Sequence, residues 1–145
     1  MPAWWKSSEN LARRLQLETL AMQAAFGNTF QLKFPDDGPI YWIGKVEVNL
    51  TGVSYREHTL KIVYPDSYPS QPPEAYVMQP IIHSEKYQFE DGKLSLFNPK
   101  DGPNYGWNPA SSTALTITGW AIQWLYAYYT AQALGKWPEP YGIDG

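Results

Sequence analysis

Between Asp101 and Lys136 the chain carries no charged residue, and Ser111 or Ser112 can open a helix there that runs to about Leu134 before Gly135 stops it. A helix of that length can span a bilayer. However, Thr, Gln and Tyr are spread along its middle, where a spanning helix would carry aliphatic residues. The alternative is a helix buried on more than one side, which obliges the rest of the chain to supply its cover. Leu115, Ile122, Tyr126 and Tyr129 can face a sheet, whereas Trp120 and Trp124 point round to another face and need a second cover. The 136–145 tail, a second copy of the chain in a homodimer, or a partner protein can provide it.

The residues before this helix provide such a sheet. Alternation over 29–34 (Phe30, Leu32, Phe34), 41–49 (Trp42, Gly44, Val46, Val48) and 57–64 (Leu60, Ile62, Tyr64) predicts three strands, with a fourth near 74–79. Their connections, Pro35 to Pro39 and Thr51 to Ser54, are turn chemistry and too short for crossover helices, so the sheet is expected to be an antiparallel meander over 29–79. Pro65, Pro69, Pro72 and Pro73 cannot lie in a sheet interior and predict a rigid turn before the fourth strand. The Pro69-Ser70-Gln71-Pro72 stretch also fits a minimal SH3-type ligand, a far less specific reading. At the front, residues 8–26 predict an amphipathic helix with Ser7 or Ser8 as cap. Leu11, Leu15, Met22 and Phe26 lie near one face, Arg13, Arg14 and Glu18 form a polar side, and Gly27-Asn28 is the stop. The Arg13–Arg14 pair reads as a solvated face, with partner docking as the second role. Helix, meander and helix in one chain of 145 residues make a single α+β domain.

Composition excludes several function classes. With no cysteine there is no disulfide, thiolate metal site or cysteine nucleophile. Two histidines far apart in sequence make a zinc site unexpected, and no glycine motif cradles a phosphate, so neither metal nor cofactor is expected. A net charge of −3 argues against a nucleic-acid partner. The start, Met-Pro-Ala-Trp-Trp-Lys, lacks the pattern of a signal peptide, so a cytoplasmic protein free of membrane is the default expectation.

The segment 81–110 carries the chemistry. Ser95 sits between Leu94 and Leu96 after an Asp91-Gly92 turn, and a loop rich in Gly, Pro and Asn leads from it to Trp107. Such a serine is either a presented nucleophile or an inert side chain. As a nucleophile it needs a base within reach. His83, Glu85, Asp91 and Asp101 are the titratable candidates nearby, and Asn98 or Asn104 can supply an amide to an oxyanion. The plainer roles are loop bracing for His83 and turn chemistry for the two asparagines.

The order of these pieces resembles the ubiquitin-conjugating enzyme (UBC-like) family over residues 8–134. The elements that carry the resemblance are a helix, the meander, Tyr64-Pro-x-x-Tyr68-Pro-x-x-Pro72-Pro73, the loop led by His83, Gly92-Lys93-Leu94-Ser95-Leu96, Trp107-Asn108-Pro109-Ala110 and a long crossover helix over 111–134. Trp107 and Pro109 are then structural residues around the site. The resemblance implies that Ser95 stands where the family has its catalytic cysteine. It would accept a ubiquitin-like protein from an activating enzyme as an oxyester and pass it to a target. The family's His-Pro-Asn is His83-Ser84-Glu85 here, so the asparagine that assists the oxyanion is missing. The loops on either side of Ser95 are slightly longer than usual, and the family's helices after the crossover helix are expected to be truncated. Gly135-Lys136-Trp137-Pro138 is similar to the ending of bacterial members encoded beside a ubiquitin-like protein, an activating enzyme and a peptidase in operons linked to phage defence. The alternative within the same resemblance is an inactive variant that only binds the ubiquitin-like protein or the activating enzyme, with Arg13, Arg14, Trp120 and Trp124 as docking residues.

Overall fold

A computed structural model describes residues 3–52, 55–96 and 106–138. A short 3-10 turn, Trp4–Lys6, precedes helix α1 (Glu9–Phe26), and four strands follow: β1 (Phe30–Lys33), β2 (Tyr41–Val48), β3 (Arg56–Val63) and β4 (Glu74–Gln79). Helix α2 (Ala114–Leu134) closes the described fold. The strands pair antiparallel in the order β1-β2-β3-β4, which is the expected meander. Among the described residues no helix is long and apolar enough to cross a membrane.

Alternation decides the sheet's two faces. Phe30, Trp42, Val46, Val48, Leu60, Ile62, Ala75 and Val77 point inward and are buried, where they meet Leu15 and Met22 of α1 and the inner stripe of α2. Leu60, Ile62, Ile117 and Leu125 have no accessible surface; each such aliphatic side chain stabilises the fold by about 1.5–3 kcal/mol. Phe34 departs from its expected place: β1 stops at Lys33, and Phe34 is 55% exposed beyond it, edge-on to Trp5. The proline segment is a turn, with Tyr68 N–H donating to Pro65 O and Ser70 N–H to Ser67 O.

The ends of the helices follow local chemistry. Ser8 caps α1 through the Leu11 N–H. The cap of α2 is Thr113, one residue beyond the candidates Ser111 and Ser112. Its hydroxyl accepts from Leu115 N–H while the Thr116 hydroxyl accepts from Thr113 N–H, a reciprocal capping box. Ser112 is committed elsewhere, because its N–H donates to Asn108 O and its hydroxyl accepts from Asn108 N–H. Gly135 ends α2 in the left-handed region at φ 80°.

The expected inner face of α2 requires correction. Leu115, Ile122, Tyr126 and Tyr129 are only half-buried, while Ala114, Ile117, Thr118, Ala121, Trp124, Leu125 and Ala131 form the buried stripe. Alanines at 114, 121 and 131 let the helix lie close to its neighbours, which larger side chains would prevent. Trp124, expected on an outer face as a docking residue, is 0% exposed. Trp120 is half-buried and its ring lies against Gly106, where an added Cβ would stand 3.0 Å from the ring edge. Of the three covers envisaged for the outer aromatics, the tail supplies one. Trp137 packs on Trp124 at 5.7 Å and on Tyr128 at 6.2 Å between ring centroids.

Candidate active site

Ser95 lies at the end of a small hairpin hung on β4. Gln88 bridges Leu94, Phe89 N–H donates to Lys93 O, and Gly92 at φ 95° makes the turn, where Asp91 Oδ1 accepts from Lys93 N–H at 3.0 Å. Lys93 in turn bridges Tyr76 of β4, and Leu94 N–H donates to Ala75 O at 2.9 Å. Leu94 is buried, and its two neighbours Lys93 and Ser95 are half-buried. The pattern Gly-x-Leu-Ser-Leu therefore anchors a leucine inside and leaves the next residue at the surface of the core.

The backbone of Ser95 is fixed by one carbonyl. Tyr87 O accepts from Ser95 N–H at 2.9 Å and from the Trp124 indole N–H at 2.8 Å. Tyr87 adopts φ 61°, a left-handed conformation that a bulky residue holds only when its surroundings enforce it. Next to it, the Gln88 amide donates to Ile82 O at 2.9 Å and to Gly92 O at 3.1 Å, and its oxygen accepts from Ser84 N–H at 2.7 Å. Gln88 thus braces the loop from Ile82 to Gly92, a role the sequence did not single out.

His83 and Glu85 are exposed. His83 lines a cleft of about 550 Å³ with His58 and with Tyr128 and Gln132 of α2, and Ser95 is not among the residues lining it. The structure therefore groups the two histidines with each other. His58 is buried: its Nδ1–H donates to Pro80 O at 2.8 Å, leaving Nε2 to accept from the Tyr129 hydroxyl at 2.5 Å. Asn98, Asp101 and Asn104 lie outside the described residues. The hydrogen bond that fixes Ser95 among the described residues is the one from its N–H to Tyr87 O. No cluster of His, Asp and Glu suited to a metal ion occurs among the described residues.

The described chain resumes at Gly106, and Trp107 and Pro109 are both held by the fold. Trp107 is 6% exposed and its indole donates to Pro69 O at 2.9 Å, which ties it to the proline turn. Pro109 O accepts from Arg14 Nη1 at 2.5 Å, and Arg14 Nη2 reaches Ser112 O and, at 3.2 Å, the Tyr68 hydroxyl. Arg14 is thus an internal tie, in place of the solvated or docking side chain expected beside Arg13, which remains exposed.

Glu18, placed on the polar side by the sequence, is 2% exposed. Its Oε1 accepts from the Tyr64 hydroxyl at 2.9 Å and from Ala114 N–H at 3.0 Å; its Oε2 accepts from Arg14 Nε at 2.9 Å and from the Tyr68 hydroxyl. A carboxylate with four donors can be buried as an anion, and it also faces the positive end of α2. Burial first, and the Glu18 charge second, push the Tyr64 and Tyr68 phenols well above the ordinary tyrosine range. This explains the paired tyrosines of Tyr64-Pro-x-x-Tyr68-Pro. Buried phenols need acceptors, the signal that would have revealed a buried Glu18. For Tyr87 and Gln88 the sequence offered only their place before the Asp91-Gly92 turn.

Solved structures share this architecture. Three of them are the yeast vps23 UEV domain in complex with a vps27 PSDP peptide (17% identity, TM-score 0.56, covering 84% of this chain and 87% of that one), a ubiquitin conjugating enzyme E2 from Plasmodium falciparum (22%, 0.53, 79% and 97%) and human ubiquitin-conjugating enzyme E2 G1 (18%, 0.50, 77% and 90%). At these identities they establish the fold, an α+β UBC-like fold with an N-terminal helix, a four-stranded antiparallel sheet and one long C-terminal helix. No curated protein matches the chain. The family model described as "Type II CBASS E2 protein" matches residues 18–142, from Glu18 of the buried network through the Ser95 hairpin and α2 into the tail. The chain belongs to the type II CBASS E2 protein family and has the fold of the ubiquitin-conjugating enzymes.

Proposed function

We propose that this chain accepts the C-terminal acyl group of a ubiquitin-like protein on Ser95 and passes it to a target within an antiphage system. The observation that carries the reading is the placement of Ser95. It follows a buried leucine at the end of a hairpin, and its N–H is fixed by Tyr87 O, so that a nucleophilic oxygen is held at the edge of the core. Family membership supports a conjugating role, with an activating enzyme and a ubiquitin-like protein as partners.

In the loading step, Ser95 Oγ attacks the thioester carbonyl that joins the ubiquitin-like protein to the activating enzyme. A C–O bond forms, the C–S bond breaks, and the thiolate leaves. The hydroxyl proton goes to that thiolate, or to a base on the activating enzyme. This route needs no base from the described residues, where His83 and Glu85 stand in the open and His58 is engaged on both ring nitrogens. The product is an oxyester.

Incubation with the activating enzyme, ATP and the ubiquitin-like protein of its operon is expected to give a covalent adduct that survives thiol reductants and falls apart in alkali. Ser95→Ala should abolish it without unfolding the domain, since one half-buried hydroxyl contributes little to stability. An adduct unchanged in Ser95→Ala would move the acceptor elsewhere. Binding with no adduct would favour the second reading, a docking variant, which draws on the exposure of His83 and Glu85 and on the engagement of both ring nitrogens of His58.

A further inference from the structure

We infer that Trp137, beyond the end of α2, is a positioning residue for Ser95 and acts through Tyr87; this rests on the reading of Ser95 as the acceptor. The Trp137 ring meets the Tyr87 ring edge-on at 4.8 Å between centroids, and it also packs on Trp124 at 5.7 Å. Trp124 stacks on Tyr128 at 5.5 Å with an interplanar angle of 5°, so three aromatic rings from α2 and the tail form one block behind Tyr87. That block holds Tyr87 from two sides. Trp137 presses on its side chain, and the Trp124 indole donates to its carbonyl at 2.8 Å.

The consequence reaches Ser95 through a single atom. Tyr87 O accepts the Ser95 N–H at 2.9 Å, and its direction depends on a φ of 61° that a tyrosine does not keep unaided. Without Trp137 the ring of Tyr87 loses its outer wall and the backbone can relax toward an ordinary conformation, which swings the carbonyl away from Ser95. The indole bond from Trp124 alone then has to hold the geometry. Misplacement of a reacting oxygen by about 1 Å can slow a transfer step by up to about 100-fold. The tail segment 135–138 is thereby part of the site rather than an appendage. Deleting its aromatic ring is expected to act on the rate of loading and to leave the docking of the activating enzyme alone.

The test compares wild type, Trp137→Ala, Trp137→Phe and Ser95→Ala. The first measurement is amide hydrogen exchange, which does not depend on any partner. The Ser95 amide is expected to exchange about tenfold faster in Trp137→Ala, an amount in line with losing one aromatic pair. Amides of β2 and β3 should keep their protection, and Trp137→Phe should restore most of the protection at Ser95. The second measurement is the rate of adduct formation with the activating enzyme, ATP and the ubiquitin-like protein of the operon. Trp137→Ala is expected to lower the maximal rate about 10- to 100-fold with KM for the charged activating enzyme unchanged, again rescued by phenylalanine. Unaltered exchange at Ser95 in Trp137→Ala would overturn the inference, whatever the adduct assay gives. So would faster exchange at every core amide, or a rise in KM with the maximal rate intact. An adduct that persists in Ser95→Ala would instead remove the acceptor assignment, and the exchange arm would still decide whether Trp137 fixes the Ser95 backbone.

Discussion

Replacing Glu18 by glutamine keeps the shape of the side chain and removes only its charge and two acceptor lone pairs. In the native fold Glu18 is 2% exposed and takes donors from Arg14, Tyr64, Tyr68 and Ala114, so no lone pair is left for water. A glutamine must turn its amino group toward one of the two donor pairs. Turned toward Tyr64 and Ala114, it confronts the Ala114 N–H, which the helix holds in place. Turned the other way, it confronts Arg14 Nε–H. The hydroxyls can swing round to accept, but one N–H is stranded in either orientation and the Arg14 guanidinium loses its counter-charge. A hydrogen bond to a charged group contributes about 1.5–3 kcal/mol, and a stranded buried donor costs about 1–3 kcal/mol more. The expected destabilisation is about 3 kcal/mol for Glu18→Gln and about 4–5 kcal/mol for Glu18→Ala, which leaves the arginine unpaired altogether. Urea unfolding followed by tryptophan fluorescence should show a lower midpoint with an unchanged m-value, and the melting temperature should drop by roughly 10 °C for Glu18→Gln. A loss below about 1 kcal/mol for Glu18→Gln would refute the account, because it would mean that the four contacts are not made together in solution.

Two further outcomes follow from the same packing. Burial and the Glu18 charge raise the Tyr64 and Tyr68 phenols above the ~10 of a free tyrosine, so the fold favours their neutral form. Their contribution is therefore whole below about pH 10 and is lost as pH climbs from there toward the folded-state values. Unfolding free energies from denaturant titrations at pH 8 to 11.5 should fall above pH 10 with a slope of up to about 1.4 kcal/mol per unit for each phenol, flatter in Tyr68→Phe. An equal slope in that variant would contradict the assignment. Gly44→Ala tests the β1–β2 approach. An added Cβ would stand 2.5 Å from Phe30 Cγ and 2.6 Å from Thr29 O, and the carbonyl is backbone that cannot swing aside, so β1 must move at a cost of about 2 kcal/mol. A melting curve matching wild type would rule that contact out.

The strands were legible because the side-chain period of two survives any packing detail, and short turns left the meander no alternative order. The orientation of α2 was not, since large residues suggested the buried face, whereas alanines at 114, 121 and 131 decide it by letting the helix approach. Such small residues carry no signal until the opposing surface is known. Glu18 was misread for a related reason. A Glu four residues after an Arg on a helix normally marks a solvent-exposed pair, and only Tyr64 and Tyr68, nearly fifty positions away, turn it into a buried site. At the candidate site the position of Ser95 in its motif was readable. The atom that fixes it, Tyr87 O, was not, because a backbone carbonyl has no signature in sequence. His83 is a candidate partner of Ser95 by closeness along the chain; in the fold it is exposed and lines a cleft with His58, Tyr128 and Gln132.

These contacts give the uncharged helix its purpose. At its first turn, α2 offers Ala114 N–H to Glu18, and the same carboxylate holds Arg14, which grips Pro109 O and Ser112 O in the turn behind Trp107. In its middle, Trp124 holds Tyr87 O, and just beyond its end Trp137 packs on the Tyr87 ring. Described chain on both sides of Ser95 is therefore tied to α2 at its first turn and its middle, and to Trp137 just beyond its end. Under the proposed role of Ser95 as acceptor, this packing has a chemical reason. A thiol can gain reactivity at neutral pH by ionising, but an unassisted hydroxyl cannot. Its remaining lever is position, held by neighbours that are themselves locked, and a helix packed on both the sheet and the site is the part of this fold able to supply it.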